Sequence, residues 1–308
     1  DCIESVARHA EEPFADSSML AVYMLSKAAR KHFTVALGGD GADELFAGYE
    51  TYKATFLAGR YRKLPRWLRK SVLAPLARRI PATDKKYSLH KRLTRFTRAA
   101  EYGAGRDHAA WRELCYAELK QALYTDGFRE RVGIQDPLLS YAEVIAMQRS
   151  SDSLNKLLGA DLEFYLPNDM LTKVDRMSMA HGLEVRVPLL DTELVSFAMS
   201  VPASMKIAPT GRLKHVLRES LRGAIPRSVL EAPKSGFNVP IERWFRESLG
   251  SFYRDLIQSE REALMPFFQI ASLETLLREH EDRRADNAHA LFALLMFALW
   301  LRNLGRSS

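Results

Sequence analysis

Residues Leu37-Gly38-Gly39-Asp40-Gly41-Ala42-Asp43-Glu44-Leu45-Phe46-Ala47-Gly48-Tyr49 constrain this chain more than any other stretch. The apolar run Phe33-Thr34-Val35-Ala36-Leu37 before it reads as a buried strand, and Ala42 to Ala47 after it read as the first turns of a helix. A strand, a glycine-rich turn and a helix start belong to an α/β sheet, and together they form an anion site. Gly38, Gly39 and Gly41 let the backbone approach a phosphate, and unpaired N–H groups at the helix start point toward it. Asp40 and Asp43 sit inside that site. A carboxylate beside a phosphate is repelled unless a cation lies between them, so the natural completion is Mg²⁺ on a polyphosphate. The plainer alternative is that Asp40 caps the helix while Asp43 and Glu44 favour its positive end.

The rest of the chain is expected to be mainly helical. Met19 to His32 reads as a helix before the strand, making a βα repeat near the end of a parallel sheet. Ser151 to Tyr165 reads as a helix stopped by Pro167, and Asp169 to His181 as another with Gly182 as its stop. In the latter, Met170, Val174, Met177 and His181 form an apolar stripe, His181 being a core or helix-end residue rather than a base. Helices are also expected over 189–201, 214–221, 240–249 and 272–280. The chain has 308 residues, 47% of them hydrophobic, enough for one large domain or two smaller ones. Its most apolar run, Ala290 to Leu301, falls short of the roughly 20 residues that span a bilayer and reads as a core helix. Cys2 and Cys115 give neither a disulfide framework nor a metal spacing, so a reducing, cytoplasmic setting is the expectation.

Charge is unevenly distributed. Residues 51–100 hold fifteen Lys or Arg against the single acid Asp84. Such a block with Tyr61, Trp67 and Phe96 among it is compatible with a polyanion-binding surface. The favoured reading is a solvated helical face with Leu64, Trp67, Leu68 and Val72 turned inward at helical spacing.

Leu37 to Tyr49 resembles the "SGDGGDELFGGY" signature of the asparagine synthetase family. Three more segments resemble the same family in the same order: Leu166 to Ala180, Leu183 to Asp191, and Gly211 to Arg218 followed by Ala232 to Phe237. The resemblance implies the C-terminal synthetase portion of a PP-loop ATPase of the adenine nucleotide alpha hydrolase-like fold, using ATP and Mg²⁺. Aspartate would be adenylated, and ammonia from a glutaminase domain would then displace AMP. The family's PP-loop, Ser-Gly-Gly-x-Asp-Ser, and its glutaminase portion are not among these residues, so the chain taken alone is expected to lack part of its ATP site. Within it, 1–50 would end the sheet-bearing nucleotide core, 51–150 would be a basic helical insert, and 151–308 a helical active-site portion. No membrane partner is expected, nucleic acid is disfavoured, and a homodimer is kept open. The family motifs read phosphate chemistry and are nearly blind to the carboxylate, so a sibling amidotransferase acting on another acid stays in view.

By the same resemblance, Asp43 is the metal ligand, and Asp40 lies near the acyl centre, where it positions substrate or handles a proton. Lys214 matches a phosphate-contacting lysine. Lys234, in Pro233-Lys234-Ser235-Gly236-Phe237, matches the lysine that stabilises charge at the reacting centre; a compact ammonium suits that role. Asp175 falls near the acidic half of the acid/base pair of β-lactam-forming relatives, with a structural ion pair to Arg186 as the alternative. Glu184 and Arg186, two apart in an extended segment, share a face and would line the pyrophosphate or the aspartate.

Overall fold

The computed structural model describes residues 2–79, 89–103, 105–133, 136–232, 236–237 and 239–307. Helices α1 (Cys2–Ala10) and α2 (Met19–Ala29) precede strand β1 (Val35–Leu37), which runs into the short helix α3 (Ala42–Phe46) and then α4 (Glu50–Tyr61). The only other strand among the described residues, β2 (Glu184–Arg186), pairs with β1 in parallel, Val35 opposite Glu184 and Leu37 opposite Arg186. Parallel neighbours cannot be joined by a tight hairpin, and a long run of helices makes the connection.

Among the described residues two large cores form. One gathers Val6, Met19 and Leu20 of α1 and α2 with Phe245, Tyr253, Leu273, Leu291 and Phe292 near the C-terminus. The other gathers Tyr52 and Ala58 of α4 with Trp111, Leu138, Tyr141, Leu154 and Leu158. A small third cluster, Leu45, Phe46 and Ala198, anchors α3, with Leu190, Val216 and Leu217 against it. The C-terminal helix Ala288–Ser307 is long and apolar enough to cross a membrane by length and composition. Here Leu291, Phe292, Leu295, Met296 and Leu299 are buried in the first core.

Three expectations need correction. Strand β1 is not buried: Val35 and Leu37 are exposed, Leu37 at 75%. Cross-strand partners share a face, so these two side chains lie with Glu184 and Arg186 on one open side of the sheet. Pro167 does not stop its helix. After Ser153–Ala160 the chain widens into a π-helix, Asp161–Leu171, with Pro167 inside it. Asn168 Nδ2 donates to the Phe164 carbonyl (2.7 Å) and Thr172 Oγ1 to that of Pro167 (2.7 Å), satisfying acceptors that the irregular ladder leaves open. The basic block keeps only part of its inward stripe, because Leu68–Leu73 is also π-helical and loses the 3.6-residue period. Leu64 and Trp67 are exposed, whereas Leu68 and Val72 are half-buried. Arg62 is paired with the buried Asp107 (2.6 Å) and Arg69 with Glu101, so part of the block's charge is spent on the protein's own acids.

Lys206 is fully buried beside the second core, its ammonium donating to Asn155 Oδ1 at 2.8 Å. Burial pushes its pKa down to about 8, against the weaker pull of Asp152. Between about 8 and the ordinary lysine value the unfolded chain therefore binds more protons than the native one, and stability rises with pH across that window. Urea midpoints of the parent and of Lys206→Met, compared from pH 7.5 to 10.5, are expected to converge as pH rises through it. A parallel pair of curves would exclude the effect.

Candidate active site at the strand-to-helix turn

Leu37 hands the chain to the glycine turn, whose first amide, Gly38 N–H, donates to the Arg186 carbonyl at 2.7 Å. Gly41 starts α3 with φ of +85°, and a Cβ there would lie 2.3 Å from Leu190 Cδ2. That glycine is demanded by conformation and packing together. Gly39 alone of the three turn glycines opens onto free space. Helix α3 is five residues long and is closed by Ala47 in the left-handed region. The dipole of so short a helix is weak, and side chains carry most of the site's charge.

Asp43 and Lys214 meet at 3.0 Å, each about three-quarters buried. Lys214 approaches from the far end of the sequence and itself holds a left-handed backbone, φ 54°, at the start of helix His215–Ser220. Such a conformation costs a non-glycine residue about 1 kcal/mol or more and concentrates at functional positions. Gly48 makes room for the pair: a Cβ on it would sit 1.7 Å from Asp43 Oδ1 and 2.2 Å from Lys214 Cε.

Asp40 makes no ion pair among the described residues. Burial raises its pKa, and the nearby Lys173 ammonium pulls the other way. Lys173 is itself buried and bonds Asp16 at 2.5 Å, on the loop between α1 and α2. Asp169, pushed up to about 6 by burial and by the Asp16 carboxylate, completes this cluster. Asp175 is exposed, and its carboxylate has no hydrogen-bond or ion-pair partner among the described residues. The alternative pairing with Arg186 does not form, because Arg186 Nε bonds Glu184 Oε1 at 2.8 Å on the strand they share. Both are solvent-exposed. His181 packs against Tyr23, ring centroids 4.3 Å apart and planes tilted by 58°. Lys234, with Pro233 and Ser235, lies outside the described residues.

Sequence reasoning missed Glu44, Tyr49, Gly48, Lys173 and Asp16 as parts of this region. The first three stand inside the signature and were legible there; Lys173 and Asp16 had no linear signal linking them. The cleft of about 500 Å³ between Phe56 and Asp152–Leu154 holds no free acid. Asp152 is engaged by the amides of Leu154, Asn155 and Ala203.

Among the described residues no three His, Cys, Asp or Glu side chains gather as a metal site. Mg²⁺ commonly takes one or two carboxylates and completes its shell with phosphate and water. Asp43, the carboxylate for which Gly48 makes room beside Lys214, would fit that partial role as a single ligand. Gly48→Ala in the full-length protein is expected to weaken magnesium pyrophosphate binding at least about tenfold, a loss of about 1.4 kcal/mol. Because the clash is with side-chain tips, its thermal midpoint should move by less than about 4 °C. Calorimetric titration beside a melting curve checks both.

The asparagine synthase family model matches residues 1–302. Over 308 residues the chain is 30% identical to asparagine synthetase [glutamine-hydrolyzing] 1 of Bacillus subtilis, covering 97% of this chain and 45% of that protein. It is 33% identical over 300 residues to a putative asparagine synthetase [glutamine-hydrolyzing] of Mycobacterium bovis, covering 97% and 44%. A shorter stretch of 80 residues is 40% identical to the human asparagine synthetase [glutamine-hydrolyzing]. The chain thus spans less than half the length of the two bacterial relatives. With its signature turn, its Lys214 segment and a family match along nearly its whole length, this chain belongs to the asparagine synthase family.

Proposed function

We propose that this chain is the synthetase part of an ATP-dependent, glutamine-using asparagine synthetase of the adenine nucleotide alpha hydrolase-like fold. The observation that carries the reading is the Asp43–Lys214 pair at 3.0 Å, acid and cation from distant segments brought to one glycine turn. Making an amide in water requires the carboxylate oxygen to become a leaving group. Attack on the α-phosphorus of ATP achieves this, and negative charge builds at each step. Lys214 supplies a fixed cation for the phosphates. Asp43 would hold Mg²⁺, which when bound neutralises phosphate charge. Asp40, on the same turn and under the influence of Lys173, faces the acyl donor and either orients it or accepts a proton. Lys234 is assigned by resemblance to the reacting centre.

The exposed face of Val35, Leu37, Glu184 and Arg186 is proposed to pack against further parts of the full-length enzyme, including its nucleotide-binding loop. The glutaminase domain named in the relatives would deliver ammonia. Internal pairing of Arg62 and Arg69 argues against a polyanion-binding role for the basic block.

The full-length protein, given ATP, Mg²⁺ and a panel of carboxylic acids, is expected to release pyrophosphate with aspartate and to form asparagine when glutamine is added. Pyrophosphate release with a different acid would transfer the reading to a sibling enzyme. In the same protein Lys234→Ala should lower synthesis by at least about a hundredfold while glutamine hydrolysis continues. Near-normal asparagine formation by that variant would remove the assignment.

A further inference from the structure

Asp43 and Glu44 are adjacent on α3 yet face opposite ways. Asp43 turns outward to Lys214, while Glu44 turns into the protein and is only 1% exposed. There the Tyr49 hydroxyl donates to Glu44 Oε1 at 2.7 Å. The Tyr49 ring stands edge-on to Tyr165, centroids 5.9 Å apart. The Arg112 guanidinium lies 4.1 Å from the centre of the Tyr165 ring and 5.8 Å from that of Tyr49. Arg112 in turn bonds Asp161 Oδ2 at 2.7 Å. A continuous buried chain therefore leads from the helical body to the residue next to Asp43.

We infer that Glu44 and Tyr49 are positioning residues: their buried hydrogen bond, backed by Arg112 and Asp161, sets the rotation of α3 and thereby the direction in which Asp43 presents its carboxylate. The inference rests on the assignment of Asp43 to the phosphate end of the site. Stability alone does not call for this arrangement. An apolar side chain of similar volume at 44 would avoid the cost of burying a carboxyl group, and such replacements are often neutral or stabilising. The acid gives direction instead. A hydrogen bond has a narrow range of favourable angles, whereas an apolar contact permits a helix little longer than one turn to roll. Rolling α3 swings Asp43 relative to Lys214, and misplacement of a reacting group by about 1 Å can cost about a hundredfold in rate.

Tyr49→Phe is the discriminating variant, because it keeps the ring between Tyr52 and Tyr165 and deletes only the donor. In the full-length protein it is expected to retain a thermal midpoint within a few degrees of the parent. Its magnesium pyrophosphate affinity, read by calorimetry, should fall at least fivefold, and pyrophosphate formation at saturating substrate at least tenfold. Glu44→Gln still offers a carbonyl oxygen to Tyr49 and should stay within about threefold of the parent in both. Arg112→Lys keeps a cation for Asp161 but surrenders the guanidinium placed over the Tyr165 ring, and should reproduce the Tyr49→Phe pattern more weakly. The inference is overturned if Tyr49→Phe matches the parent in both readouts. It is equally overturned if the losses in Tyr49→Phe and Arg112→Lys merely track a reduced folded fraction. A parent protein that neither binds magnesium pyrophosphate nor forms pyrophosphate would overturn the functional reading itself, and this inference with it; that pattern is distinct because the variants would then show no difference from an inactive parent.

Discussion

Asp161 is a carboxylate with no access to solvent, and the helical part of this molecule is arranged so that it can stay ionised there. Arg112 and Tyr52 reach one of its oxygens, at 2.7 and 2.6 Å, and His108 and Tyr141 reach the other. Burial alone would raise its pKa, but Arg112 and the hydrogen bonds reverse the sign and hold it below the usual carboxylate range. His108 stays neutral because burial lowers its pKa, and its other ring nitrogen meets Thr55 at 3.0 Å. Removing one member of such a set leaves an uncompensated buried charge, at a cost of about 3–5 kcal/mol. The partners come from α4, from helices Arg106–Ala110 and Pro137–Met147, and from the turn after the former. One side chain thus fixes how these elements sit around the π-helix that begins at Asp161.

That π-helix matters for the site because it carries Tyr165 and Asp169 toward α3 and Lys173. Its wider turn rotates the following residues relative to an ordinary α-helix. Lys173 comes to face Asp16 while Arg176, three residues on, reaches Glu12 at 2.7 Å. Both arginine and lysine thereby tie the loop between α1 and α2 to the helix Thr172–Met179. The turn at Gly38–Gly41 is then flanked on one side by β2 and Leu190, and the Lys173 ammonium lies near enough to act on Asp40.

Much of this was legible in the amino-acid order, for a reason that is itself physical. The glycine turn, the helix after it and the Gly182 stop depend on backbone geometry within a few residues. Gly182 behaves as read, with φ of +65° and the Leu183 amide returning to the Ser178 carbonyl at 3.1 Å. Periodicity misled at Leu68–Leu73, because a 3.6-residue template does not describe a π-helix, and at Asp161–Leu171 the same change of helix type carries the chain through Pro167, where a stop is expected. Apolar composition misleads at β1, where Val35 and Leu37 are exposed. Hydrophobic side chains such as Leu37 record a preference for leaving water, not the presence of a covering layer.

The linear chain by itself determined the family, the inventory of acids and lysines, and the shape of the turn that displays Asp40 and Asp43. All of these are set by residue identity and near-neighbour sterics. Only the tertiary structure decided that Lys214 closes on Asp43 beside Gly48, and that Glu44 and Lys173 are buried. Those outcomes depend on desolvation and on contacts between segments far apart in the chain, and no local pattern encodes either one.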